Sequence, residues 1–367
     1  MGHAAAELDR SRRPGGSLSG TRYAGGMASS WGRVGWIGAL VALVVISRVS
    51  AQEALAGAAP PPSSPSADQV DPSKTCAVVE QGERVHVFDT TTLAGASYYV
   101  NDHTLIQGPG GEWHLFGIFN KEPMRDDLEV DFVHAVAVEH DPARWVAGSF
   151  EVAAEPYRIA LHADRSLGER HAWAPHVVKW DGRYMMVYQA GGTDDDHASI
   201  RLAESDDLYR WTRIGRVPLF EDFCVARDPM LVRREGAWAL YYTRCDSISG
   251  RHSGVAYRLS HDLVHWSEAR MALSLEHAPP MANSAYTESP FVFERGGSYW
   301  LSVSAYPLAW DATLLYRSSV PSSFPDVPYT RLRARAAEWV FGKRGELWLT
   351  HAGPGQHGVW MSPIEGL

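Results

Sequence analysis

Residues 288–304 read "ESPFVFERGGSYWLSVS": an acidic residue, a Ser-Pro step, an apolar run, a glycine pair, then a second run rich in aromatics. Two short runs of high β-propensity around a Gly-Gly turn read as a hairpin. The form recurs four more times, as "NDHTLIQGPGGEWHLFGI" (101–118), "APHVVKWDGRYMMVYQA" (174–190), "RDPMLVRREGAWALYYT" (227–243) and "EWVFGKRGELWLTHA" (338–352). The interval from the polar lead residue to an aromatic of the second strand stays similar. Asp102 to Trp113 is 11, His176 to Tyr184 is 8, Asp228 to Trp238 is 10, Glu288 to Tyr299 is 11 and Glu338 to Trp348 is 10.

A second element, a strand followed by an Asp-led turn and a Trp, completes three of the units. It reads "VAVEHDPARW" (136–145), "RLAESDDLYRW" (201–211) and "YRLSHDLVHW" (257–266). Each unit therefore holds about four strands, with no convincing amphipathic helix between units. Four-stranded units in radial repetition predict an all-β fold, a five-bladed β-propeller. A large β-sandwich is the alternative, but it gives no reason for the lead residue to recur. In a propeller the innermost strand of each blade runs along the central axis. Asp102, Asp228 and Glu288 are then expected to converge on one pocket.

Composition bounds the rest. The chain has 367 residues, a formal charge of −9, 45% apolar and 21% charged residues, as ordinary globular proteins do. The acidic balance, without a Lys/Arg stripe, excludes a nucleic-acid surface. Fourteen Trp and fifteen Tyr suit core packing or, more sharply, sugar-stacking surfaces. The apolar stretch 34–51 follows Arg33 and ends in Val49-Ser50-Ala51, the pattern of a secretory signal. Its apolar centre, Trp36 to Ile46, is short for a membrane span. Residues 1–51 are thus expected to be a signal peptide or a retained signal anchor, with Met27 a start of conventional length. Residues 52–75, rich in Ala, Pro and Ser, read as a linker, leaving 76–367 as the propeller domain. The expected location is secreted or periplasmic, with membrane contact only if the signal is uncleaved, and the expected state is a monomer. Of Cys76, Cys224 and Cys245, the last two bracket one hairpin and form the candidate disulfide.

Three carboxylates at one pocket suit cleavage of a glycosidic bond. One acid protonates the leaving oxygen and a second carboxylate activates water or attacks carbon. A third raises a neighbour's pKa by like-charge crowding. Asp or Glu before Pro is also an ordinary turn residue; recurrence in a repeat is what favours function. Gly-rich phosphate loops, His-Glu-x-x-His and Gly-x-Ser-x-Gly are all absent from the sequence.

From about residue 97 to 360 the chain resembles the five-bladed propeller glycoside hydrolases, family 43 above all and, more distantly, families 32 and 68. The resemblance is carried by "VNDHTLI", "WAPHVVKWDGRYMMVY", "ARDPMLV" and "TESPFVF", and by the rim patterns "ESDDLYRW" and "SHDLVHW". It implies Asp102 as general base, Asp228 as the carboxylate that tunes pKa and orients the substrate, and Glu288 as general acid. Inversion, as in family 43, needs roughly 6.5–9.5 Å between base and acid; a family 32 mechanism would make Asp102 a nucleophile at roughly 5–5.5 Å. The implied substrate is an oligo- or polysaccharide, of arabinoside or xyloside type. The alternatives are a fructoside hydrolase or transferase and a non-catalytic carbohydrate-binding propeller. The sequence departs from family 43 at His176, where an Asp is usual, and from the fructoside families at His103. His103, Trp173, His176, Arg227 and Tyr286 are candidate substrate contacts, with Trp310 a further loop aromatic. His351 sits where some members place a histidine near an axial metal. No cofactor is required, and a structural calcium at the axis is the one metal the resemblance suggests. "TDDDH" (193–197) reads as a solvated turn.

Overall fold

The computed structural model describes residues 79–91, 93–191, 198–222, 226–244, 254–275, 286–306 and 312–367. The expected signal and linker, all three cysteines, the "TDDDH" turn and Trp310 lie outside the described residues, as does the side chain of Tyr286. Two short N-terminal strands, β1 (Glu80–Gln81) and β2 (Val85–Asp89), precede blade I. Blade I holds β3 (Tyr98–Gln107), β4 (Trp113–Lys121), β5 (Asp131–Ala137), β6 (Glu151–Val152) and β7 (Ile159–His162). Blade II holds β8 (Ala172–Trp180), β9 (Arg183–Ala190), β10 (Ser199–Ser205) and β11 (Thr212–Arg213). Blade III holds β12 (Ala226–Arg234), β13 (Ala237–Arg244), β14 (Gly254–Ser260) and β15 (Arg270–Ser274). Blade IV holds β16 (Tyr286–Arg295), β17 (Ser298–Tyr306), β18 (Thr313–Ser318) and β19 (Thr330–Leu332). Blade V holds β20 (Glu338–Phe341), β21 (Leu347–Ala352) and β22 (Gly358–Glu365). The five antiparallel sheets form the five-bladed propeller that the repeat predicts.

The ring closes through the N-terminal strands. Glu80 pairs with Glu365 and Val85 with Met361, so both ends of the described chain share blade V. This covers the edge that β22 would otherwise expose. The inner hairpins follow from their turn residues. Asp181-Gly182, Glu235-Gly236 and Gly296-Gly297 all have positive φ at both positions, between 48° and 85°. Positive φ at both central residues is what a two-residue hairpin loop needs to match strand twist.

The Asp-led turns are equally regular. In blade II, Ser205 Oγ accepts from Leu208 N–H, Asp207 Oδ1 accepts from the N–H groups of Tyr209 and Arg210, and Trp211 Nε1 donates to the Leu208 carbonyl. Blade III repeats this with Ser260, Asp262, Leu263 and Trp266. The central leucines, at φ 66° and 62°, are fully buried. The side-chain oxygens saturate the turn's donors, and burial of the leucine offsets the cost of the left-handed backbone.

Between blades the sheets pack face to face through apolar side chains. The fully buried Tyr184, Tyr188, Tyr241, Tyr242 and Tyr316 show where much of the aromatic content goes. Trp339 of β20 lies 4.6 Å from Phe293 of β16 and donates from Nε1 to Ser302 Oγ, joining blades V and IV. What remains for the axis is a set of five inner strands starting at one end.

Candidate active site

The inner strands share one irregularity. Pairing jumps between Asn101 and His103, Trp173 and His176, Arg227 and Met230, and Glu288 and Phe291, each inserting one extra residue. On blade V, Arg335 accepts from Ala352 N–H and Glu338 pairs with Thr350, which gives the same spacing. These are β-bulges, which bend a strand and re-aim its side chains. Ala174, Asp228, Ser289 and Ala336 occupy the bulge with φ of 46°, 53°, 51° and 48°. Left-handed backbone costs a non-glycine residue about 1–2 kcal/mol, so the bulges are strained at four places around one axis.

Equivalent positions therefore form layers. The outermost holds Asn101, Trp173, Arg227, Glu288 and Arg335. The bulge layer holds Asp102, Ala174, Asp228, Ser289 and Ala336. The next, three residues on from the outermost, holds Thr104, His176, Met230, Phe291 and Glu338, with His103 between the bulge and Thr104 on blade I. The five residues taken from sequence as strand leads thus do not share one register. Asp102 and Asp228 lie on the bulge, Glu288 one residue before it, and His176 and Glu338 in the layer beneath. Asp102 and Asp228 line one small cavity together with Ser289 and Glu338, and Glu288, one residue before Ser289, is near enough for its charge to act on both aspartates.

Ser289 ties them together. Its hydroxyl donates to Asp102 Oδ1 at 2.6 Å and its backbone N–H to Asp228 Oδ2 at 3.0 Å. Glu288, the preceding residue, accepts from Arg335 Nη2 at 2.6 Å and lies 3.9 Å from Arg227, which is also 3.9 Å from Asp228. Arg227 stacks 5.7 Å from the Trp173 ring centre. Asp102 keeps some contact with solvent, yet burial is the largest cause lifting its pKa to about 7. The charges of Asp228 and Glu288 add to this, while the Ser289 hydroxyl and Arg335 oppose it. Burial also raises Asp228, against the pull of Arg227. Burial thus raises both aspartates, and Glu288, the expected general acid, faces two guanidiniums.

The remaining predicted residues divide between the mouth and the interior. Trp173 and Arg227 stand in the outermost layer beside Glu288. Tyr286 begins β16. His103, 2% exposed, turns inward and bonds Thr350 Oγ1 through Nε2 at 3.0 Å. Burial and the neighbouring His351 lower its pKa to about 3. His176 bonds the Leu231 carbonyl at 3.1 Å and faces Glu338 at 3.7 Å, a layer below the carboxylates. His351, on β21, is buried with Nδ1 3.3 Å from the Ala352 carbonyl. Among the described residues no three His, Cys, Asp or Glu are grouped to hold a metal. An imidazole pair, His103 and His351, is not the oxygen donor set that calcium selects.

Residues 157–353 match the model of glycosyl hydrolases family 43, more than half of the chain. This chain belongs to that family. No curated protein matches the sequence. Solved structures share its fold at low identity. A thermostable family-43 glycoside hydrolase is 18% identical with a TM-score of 0.56, over 73% of this chain and 89% of that one. A family-43 enzyme from Xanthomonas citri is 16% identical, TM-score 0.56, over 78% and 94%. An α-L-arabinofuranosidase from Lactobacillus brevis is 13% identical, TM-score 0.55, over 72% and 91%.

As a member of family 43 the protein is a glycoside hydrolase, with a carbohydrate as substrate. Four residues around its pocket were not singled out from sequence: Ser289, Arg335, Glu338 as a partner of His176, and Glu129. Glu129 is 4% exposed and accepts from Tyr99 Oη at 3.0 Å. Burial lifts its pKa to about 8, with the charges of Asp126 and Asp102 adding. Aligning Ala336-Ala337 with the Ala-Pro, Asp-Pro and Ser-Pro steps would have exposed Arg335. Glu129 lies in the loop before β5 and leaves no repeat signal.

Proposed function

We propose that this hydrolase cleaves arabinoside- or xyloside-type bonds with inversion, using Asp102 as general base, Asp228 to tune and orient, and Glu288 as general acid. The reading is carried by the reach of one dipeptide: Glu288 bears the third carboxylate, and Ser289 bonds the other two. In this scheme Asp102 removes a proton from water as the oxygen attacks the anomeric carbon, and Glu288 gives its proton to the departing oxygen. Asp228, held by Ser289 N–H and Arg227, stays fixed beside the reacting ring. Arg227 offers the sugar a donor at the mouth, backed by the buried Trp173 ring, which itself stacks on His171. The pentoside preference rests on the likeness to the Lactobacillus brevis arabinofuranosidase and on the family. Hydrolysis of aryl arabinosides and xylosides, with NMR of the first-formed anomer, tests it: an inverted product supports the scheme and a retained one overturns it.

One observation favours a second reading, with the two roles exchanged. Asp102 is the carboxyl held protonated up to neutral pH, whereas Glu288 is engaged by Arg335. Asp102 would then donate the proton and Glu288 would activate water. Leaving-group dependence separates the two, since only loss of the acid is forgiven by a leaving group that needs no proton.

A further inference from the structure

The bulge layer contains two alanines, two aspartates and one serine. Ala174 and Ala336 show that a methyl suffices to keep the backbone at φ near +50°. The serine hydroxyl is therefore not required by the bulge, yet it makes the shorter of the two contacts that Ser289 directs at the aspartates, 2.6 Å to Asp102 against 3.0 Å to Asp228. We propose that Ser289 is a positioning residue for the base: its hydroxyl holds one oxygen of Asp102 and leaves the other for water, while its N–H fixes Asp228. This rests on Asp102 acting as the base.

The chemistry follows from the donor. A hydroxyl bonded to a carboxylate stabilises the ionised form, the form a base must have. The charged groups that act on Asp102 are Asp228 of β12, Glu288 of β16 and Arg335 before β20; Glu129 before β5, raised further by burial, is neutral where Asp102 titrates. Asp228 and Glu288 oppose its ionisation and Arg335 favours it, so Ser289 is one of two groups opposing burial and two neighbouring carboxylates. Because the contact comes from blade IV to blade I, it also sets the separation between base and acid, which sit on those same blades.

The test uses the full chain with Ser289→Ala and Ser289→Gly. Glycine is at ease at φ +51°, so Ser289→Gly removes the hydroxyl without adding backbone strain. Both variants are expected to move the acid limb of the kcat/KM profile upward by about one to two pH units, the worth of a hydrogen bond to a charged group. Well above that limb, kcat/KM should return to within a few-fold of the parent. An unmoved acid limb in both variants, with Asp102→Asn inactive, would show that Ser289 only fills space. An active Asp102→Asn would overturn the base assignment itself, and with it this role for Ser289.

Discussion

"ARDPML" of blade III and "TESPFV" of blade IV make the same backbone: a bulge, a residue at φ near +50°, then a proline. They differ in where the carboxylate sits. Asp228 occupies the bulge itself and is 4% exposed, held by a neighbour's N–H. Glu288 stands one residue earlier, at the position Arg227 takes in blade III, and is met by Arg335. A repeat thus keeps the geometry of the strand constant while a one-residue offset decides whether an acid is sunk in the layer or presented at the mouth.

If that offset separates a fixed tuning group from reacting ones, the largest effects belong to the mouth and base. Glu288→Gln and Asp102→Asn are expected to lower kcat on unactivated glycosides about 10²–10⁴-fold. Asp228→Asn should also cost activity, while Asp228→Glu, which pushes the carboxyl off its bond to Ser289, should not restore it. Steady-state kinetics on one aryl pentoside compares all four.

Next in size is the shared backbone's support. Trp339→Ala removes the ring that binds blade V to Phe293 of blade IV and should destabilise by about 3–5 kcal/mol, measured by denaturant unfolding. Were the loss below about 1 kcal/mol, the interblade aromatics would not be holding the bulges in line.

The raised carboxyls make a smaller, pH-dependent prediction. Asp102 and Glu129 have folded pKa values of about 7 and about 8, above their unfolded values. Groups raised on folding contribute stability that is full below the unfolded pKa and is lost as pH rises through the folded one. Tm should therefore fall between about pH 5 and pH 9, and Asp102→Asn with Glu129→Gln should flatten the slope, by about 2–4 °C for each kcal/mol recovered. A slope unchanged in the double variant would mean that neither carboxyl is buried in solution. Smallest of all, Ala174→Gly and Ala336→Gly should shift stability by less than about 1 kcal/mol, because relief of positive φ and the greater freedom of unfolded glycine oppose each other.

The fold was legible because turn chemistry and apolar runs recur at hairpin scale, and hairpins are local. The register was not. A strand's bulge is set by its pairing with the next strand, so "ESP" and "RDP" look alike at their first acid, although Glu288 and Asp228 sit in different layers. Ser289, whose role depends on a contact across the axis, carries no signal in its own segment, and Arg335 emerges only once the bulge register of all five strands is aligned. His176 and His103 were legible as departures, but only the layer structure shows that they point beneath the mouth, toward Glu338 and Thr350.

The division of labour between Glu288 and Asp102 is the central claim, and leaving-group dependence tests it most directly. Activity of Glu288→Gln and Asp102→Asn would be measured on aryl pentosides spanning good and poor leaving groups. The account predicts that Glu288→Gln approaches the parent only on the best leaving groups, while Asp102→Asn is equally impaired on all. The opposite pattern, rescue of Asp102→Asn and uniform loss in Glu288→Gln, would contradict it and exchange the two roles.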